Sequence, residues 1–219
     1  ASVVEGLGHL FRQIHIASEL RKQNVDIVFY IPRFPTAENI LKKYNFSQKI
    51  IDRFEQPLIT NMGKTDATIL DIQDTPSSLI KFLKKQSCKI VSFEDQGEGR
   101  NLVDLLIDCN LNYDDSKNIP QKVKTLFGLS YSVLGPNFET QHTKKRDFSD
   151  KIETLLLTFG GTDPHNITLD LAKQVPKNIK TTIILGAGFK NEDGLQKFDL
   201  IQIEQNVQDI EMILASDDV

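Results

Sequence analysis

Short apolar runs rich in β-branched residues alternate along this chain with longer segments whose apolar residues recur at helical spacing. That alternation constrains the fold more than any other feature, because it is the signature of βαβ units and a mostly parallel sheet. Strand-like runs fall at Val25–Ile31, Ala67–Ile72, Lys89–Phe93, Val103–Ile107, Thr154–Phe159, Thr181–Leu185 and Leu200–Ile203. Leu10, Ile14, Ala17 and Leu20 mark one face of a helix over His9–Gln23, and Leu79, Phe82 and Leu83 mark another over Pro76–Gln86. Proline fits the first turn of that second helix, where its missing N–H costs nothing. The spacing predicts an α/β architecture wound in the Rossmann manner.

The thirteen residues Glu139–Lys151 (ETQHTKKRDFSDK) contain a single apolar side chain and run almost directly into the strongest strand of the chain, Thr154–Phe159. A boundary is expected there, giving domains over 1–140 and 151–219. The second holds about 70 residues, fewer than a complete doubly wound sheet takes, so a partial C-terminal domain is expected. At the other end a glycine turn, Gly6–Gly8, opens a helix with five residues before it. Such a turn normally follows a strand, and that strand is expected upstream of Ala1.

With 39% hydrophobic and 26% charged residues, disordered and fibrous chains are excluded. Twenty-six Lys+Arg against thirty Asp+Glu give a formal net charge of −4, and no like-charge block exceeds the short run Lys144–Arg146. Nothing supplies the basic stripe that phosphate backbones require, so no nucleic-acid partner is expected. No apolar run approaches the ~20 residues that span a bilayer, and the N-terminus lacks the regions of a signal peptide, so a cytoplasmic chain without membrane insertion is expected. Cys88 and Cys109 each lie in or beside an apolar segment and are expected as buried thiols rather than a disulfide or metal pair.

Three motifs could carry chemistry, although a tight turn with a capping or partly buried histidine also accounts for the first. In Gly6-Leu7-Gly8-His9-Leu10-Phe11-Arg12 the glycines let a ligand approach the backbone, and the exposed N–H groups at a helix start favour an anion such as a diphosphate. His9 falls in the first turn, where the positive dipole end favours the neutral imidazole, the form able to accept a proton. Arg12 lies on the same face, placed to pair with phosphate or carboxylate. The second motif, Phe159-Gly160-Gly161-Thr162-Asp163-Pro164, again joins a strand to a helix and suits phosphate, with Thr162 as an added hydroxyl donor. Asp163 there is equally a turn or cap residue. Neither turn matches the Walker lysine motif or the full dinucleotide fingerprint, so kinase and dehydrogenase chemistry lose support.

The third group, Glu94, Asp95 and Glu98 after one strand with Asp71 and Asp74 after another, stands at strand C-terminal ends, the rim where α/β sheets bind ligands. These carboxylates suit a metal, a sugar hydroxyl or a solvated loop. Gly186-Ala187-Gly188-Phe189 offers a turn that could pack Phe189 or its backbone on a flat base. His15 is expected on a helix surface and His142 in the linker.

The order and spacing of GLGHLFR at 6–12, SFED at 92–95, GLSY at 128–131 and LTFGGTDP at 157–164 resemble the nucleotide-sugar hydrolases of pseudaminic acid biosynthesis. They also resemble the related spore-coat polysaccharide proteins, a branch of the GT-B glycosyltransferases that includes the MurG type. The resemblance implies two Rossmann-like domains facing a cleft, with UDP held mainly by the C-terminal one and a UDP-linked acetamido sugar reaching toward the N-terminal one. It implies His9 as general base for metal-independent, inverting hydrolysis at the anomeric carbon, with no cofactor. The residues matched to UDP and sugar are Gly6, Gly8, Arg12, Asp71, Gln73, Asp95, Gly160, Gly161, Thr162, Asp163 and Gly186. Hydrolases of this kind often carry Asp-x-Tyr after the strand matching Ala67–Ile72; here Asp71-Ile72-Gln73 stands there, so Gln73 replaces the tyrosine. Two rivals follow. One is an inverting UDP-sugar glycosyltransferase, in which His9 deprotonates a sugar hydroxyl. The other is a catalytically inactive nucleotide-sugar-binding module serving a partner domain or biosynthetic enzyme.

Overall fold

The structure is a computed structural model that describes residues 7–51, 63–110, 118–142, 150–161, 163, 165–186, 188–190, 192–195, 201–205, 207 and 210–214. In chain order the elements are α1 (Gly8–Lys22), β1 (Val28–Pro32), α2 (Pro35–Lys43), β2 (Ser47–Ile51), β3 (Thr65–Leu70), α3 (Ser77–Leu83), β4 (Ser87–Phe93), β5 (Leu105–Asp108) and β6 (Lys124–Phe127). They continue as α4 (Pro136–His142), β7 (Thr154–Thr158), α5 (Ile167–Ala172), β8 (Lys180–Leu185), α6 (Glu192–Leu195), β9 (Ile201–Gln205) and α7 (Ile210–Leu214). The chain is mixed α/β with parallel sheets, as the alternation of periods predicts. It divides into two units: Ala1–Ile27, Phe34–Ser47 and Leu134–Val219 form the first, and Val28–Arg33 with Gln48–Val133 form the second.

In the second unit β3, β4, β5 and β6 lie side by side in sequence order, all parallel, with Leu70 opposite Ser92 and Ile107 opposite Leu126. Parallel neighbours need a crossover, and α3 supplies it between β3 and β4. Its buried face, Leu79, Ile80 and Leu83, packs with Leu70, Ile90, Val103, Leu106 and Val123. Each such side chain contributes roughly 1.5–3 kcal/mol by leaving water, so this cluster fixes the sheet on which the rim loops are mounted. β1 and β2 pair separately.

In the first unit β7, β8 and β9 form a parallel sheet whose central strand is buried from Thr181 to Leu185. Ala172, Ile183, Leu185, Phe189 and Leu195 make its core. α1 buries Leu10, Ile14 and Ala17, the face that the helical spacing marks. α1 and α2 end alike: Asn24 and Asn45 take left-handed φ values of 60° and 56°, and Val25 and Phe46 donate back to the carbonyls of Leu20 and Leu41. These are Schellman ends with asparagine at the position glycine usually holds. Arg21 of α1 donates to the Tyr44 carbonyl at 3.0 Å and lies over the Phe46 ring at 4.3 Å, fastening one helix end to the other.

Several expectations change. Val25 is 43% exposed and belongs to the end of α1, so the first strand begins only at Val28. The strands at Ser47–Ile51 and Lys124–Phe127 are short and partly polar, which hid them. The polar stretch from Glu139 opens in α4, so His142 belongs to a helix rather than a linker; the stretch falls within the first unit, and 143–149 lie outside the described residues. Cys109 is half-buried rather than a core thiol, its Sγ donating to the Tyr131 carbonyl at 3.4 Å. The Cys88 side chain lies outside the described residues, as do Gly6 and Thr162. No described helix is long and apolar enough to cross a membrane.

Candidate active site

Gly8 is the first residue of α1, and Leu7 before it contributes no side-chain cap. The first turn also holds no acidic residue, so among the described residues neither a cap nor a first-turn carboxylate answers the positive end of the helix dipole. His9 and Arg12 stand one turn apart and are both partly buried. Arg12 Nη2 lies 3.2 Å from His9 Nδ1. A guanidinium can only donate, so Nδ1 accepts this bond and carries no proton.

The turn after β7 is built differently. Gly160 has φ +70°, a conformation that costs L side chains and that glycine adopts freely. A β-carbon on Gly186 would stand 2.4 Å from the Gly161 Cα and 2.5 Å from the Gly160 carbonyl, so the turns after β7 and β8 meet backbone to backbone. Gly188 N–H donates to the Gly161 carbonyl at 2.8 Å across the same contact. Asp163 is buried, at φ +38°, and its carboxylate accepts from Ile167 N–H at 3.0 Å and Thr168 N–H at 2.8 Å. These are the leading amides of α5. Asp163 therefore caps the helix, and an anion of the protein's own already occupies the place where the sequence invites phosphate.

Burial alone would raise the Asp163 carboxyl, but the hydroxyl and N–H of Thr168, the N–H of Ile167 and nearby His165 outweigh it and hold the group below its ordinary value. A carboxyl lowered by folding adds stability that is present in full above its unfolded value of about 3.9 and is lost as pH falls through the folded one. Asp163→Ala is therefore expected to cost about 1–2 kcal/mol at neutral pH, the range for losing a helix cap. Urea titrations should show that gap from the parent shrinking toward pH 3. A gap that stayed constant with pH would contradict the ionic cap.

On the second unit, Asp71 and Gln73 follow β3, and Gln73 is exposed. Asp95, after β4, is only 1% exposed. Its Oδ1 accepts from Thr75 N–H at 3.0 Å and Gly97 N–H at 2.9 Å, and its Oδ2 accepts from the Ser92 hydroxyl at 3.0 Å. Gln96 N–H to the Gln73 carbonyl and Gly99 N–H to the Thr75 carbonyl, both 2.8 Å, complete the tie between the two rim loops. Between them Glu94 takes φ +48°, a strained conformation of the kind that clusters at functional rims. Among the described residues no three His, Cys, Asp or Glu side chains converge as metal ligands would.

Gly8, His9, Arg12, Gly160, Gly161, Asp163 and Gly186 thus belong to one unit, and Asp71, Gln73 and Asp95 to the other. Two side chains serve elsewhere than expected. Phe189 is in the core of the first unit and is not a stacking surface. His15 is half-buried, and a β-carbon at Gly135 would come within 3.2 Å of its ring, so it packs on backbone rather than lying on a helix surface. Thr75, which holds Asp95, escaped the sequence, and Ser92 is marked only within the SFED motif; the only signal for its role is a hydroxyl three residues before a carboxylate.

No family model matches the chain. It is similar, at 25% identity over 242 aligned positions covering all of this chain and 49% of the relative, to an uncharacterized protein of Methanocaldococcus jannaschii. It is also 25% identical over 206 residues, 88% of this chain and 69% of the relative, to the UDP-2,4-diacetamido-2,4,6-trideoxy-beta-L-altropyranose hydrolase of Campylobacter jejuni. The chain spans about half the length of the first of these curated relatives. The second is a distant similarity that supports a relationship to nucleotide-sugar hydrolases.

Proposed function

We propose that this chain carries the general base and a diphosphate-binding turn of a UDP-sugar hydrolase on a GT-B framework, acting on a UDP-linked acetamido sugar in nonulosonic acid or surface polysaccharide synthesis. The observation that carries the reading is His9 in the uncapped first turn of α1, in contact with Arg12 at 3.2 Å, within the G-x-G-H-x-x-R motif. The 25% identity to a UDP-sugar hydrolase supports it.

The chemistry asks little else of the chain. A nucleoside diphosphate departs as a stable anion and needs no acid, while water needs a base to attack the anomeric carbon. His9 supplies the base. The amides of the α1 turn and the Arg12 guanidinium stabilise the charge that develops on the departing diphosphate. We assign the diphosphate to the start of α1 rather than that of α5, because Asp163 already neutralises the latter.

Calorimetry with UDP, uridine and NAD, followed by product analysis, tests the assignment. UDP should bind well above uridine, by about 10-fold or more if charge-assisted contacts to phosphate dominate. Incubation with the UDP-sugar alone should release free sugar and UDP. Equal binding of uridine would remove the phosphate role, preference for NAD would remove the family, and turnover only with a sugar acceptor would identify a transferase.

A further inference from the structure

The contact between Arg12 and His9 has a chemical consequence for the reaction proposed above, on which this inference rests. Neutral imidazole has one N–H and one basic lone pair. Because Arg12 donates to Nδ1 at 3.2 Å, the lone pair lies on the nitrogen that Arg12 covers, and the neutral ring keeps its proton on Nε2. The nitrogen that must take a proton from water is thus occupied before substrate arrives. Once it has taken that proton, imidazolium and guanidinium are both donors and both cations, with no hydrogen bond left between them.

We propose that Arg12 is a positioning residue that holds His9 in the Nε2–H tautomer and uncovers Nδ1 only when the substrate's diphosphate takes the guanidinium. A phosphate offers Arg12 a bidentate, charge-assisted partner, roughly twice as strong as its bond to a neutral ring nitrogen. The α1 turn, with no acidic residue, adds its dipole to the same side of the exchange. The base is then exposed only in the complex with substrate. A water O–H proton moves to Nδ1, the water oxygen bonds to the anomeric carbon, and the bond from that carbon to the diphosphate oxygen breaks. Its electron pair leaves with UDP.

Two-bond proton–nitrogen spectra of the histidine rings test this directly, with the His9 signals identified by their loss in His9→Gln. In the unliganded protein the neutral ring of His9 should be almost wholly the Nε2–H tautomer, and Arg12→Ala should give a mixture. Adding UDP to the parent should move the Nδ1 signal toward that of Arg12→Ala, and uridine should not. In kinetics, Arg12→Ala should raise KM by about 10- to 100-fold, the loss of a charged contact to phosphate, and should lower kcat as well, because the guanidinium also stabilises the departing diphosphate. Arg12→Lys should restore part of the KM effect. A damaged fold would not select one ring nitrogen. An Nδ1–H tautomer in the free protein overturns the proposal. So does UDP binding, seen by calorimetry, that leaves the His9 signals in place, a result that spares the hydrolase reading. UDP that does not bind at all overturns both.

Discussion

His9→Gln should lower kcat by about 10²–10⁴, the cost of removing a general base, with UDP affinity nearly unchanged. The glutamine carbonyl can still accept from Arg12, so the turn keeps its shape while the proposed base is gone. In the proposed complex the ground-state contacts to UDP come from backbone N–H groups and from Arg12, none of which the substitution removes. His9→Ala should lose as much turnover, and its UDP affinity should be equal or slightly higher, because the imidazole no longer competes with phosphate for the guanidinium. A loss confined to the chemical step, with binding intact, is the mark of an interaction made only in the transition state. Variants that hydrolyse at the parent rate would move the base elsewhere. Asp71 would then come first, since the Asp95 carboxylate is committed to three hydrogen bonds.

The parts of the fold legible in the sequence are the strands that cluster apolar, largely β-branched residues. β4 carries Ile90, Val91 and Phe93 and β8 carries Ile183, Ile184 and Leu185 among their polar residues, and both lie where the pattern predicts. β2 and β6 carry lysine and polar residues on short strands, and the strand period alone does not separate them from loops. The candidate site divides the same way. The one-turn spacing of His9 and Arg12 is visible in the sequence, since residues three apart share a helix face. Which ring nitrogen faces the guanidinium is not, because that depends on rotamers set by packing. Asp163 was legible as a cap or a ligand, and only the positions of Ile167 and Thr168 N–H decide for the cap. Asp95 was legible only as an acid after a strand. Its partner Thr75 stands twenty residues away, brought close by a β3–β4 register that sets Leu70 opposite Ser92.

Asp95→Ala should therefore act through the fold more than through substrate contact. The carboxylate is 1% exposed and answers two backbone N–H groups and one hydroxyl. Truncation leaves those donors buried without an acceptor, at about 1–3 kcal/mol each before any relaxation, so a total near 3–5 kcal/mol is expected. The neighbouring backbone cannot close the gap: a β-carbon at Gly97 would already stand 2.4 Å from the Thr75 nitrogen, so the two loops are in contact as they are. Asp95→Asn separates the hydrogen bonds from the charge. Its carbonyl can keep both N–H donors, and the Ser92 hydroxyl can turn from donor to acceptor for the amide, so most of the stability should return. Urea unfolding of the three proteins measures both steps. If alanine cost less than about 1 kcal/mol, a typical single hydrogen bond, the tie between the β3 and β4 loops would not depend on this side chain. If asparagine cost as much as alanine, the negative charge rather than the acceptor geometry would be what holds Thr75 and Gly97.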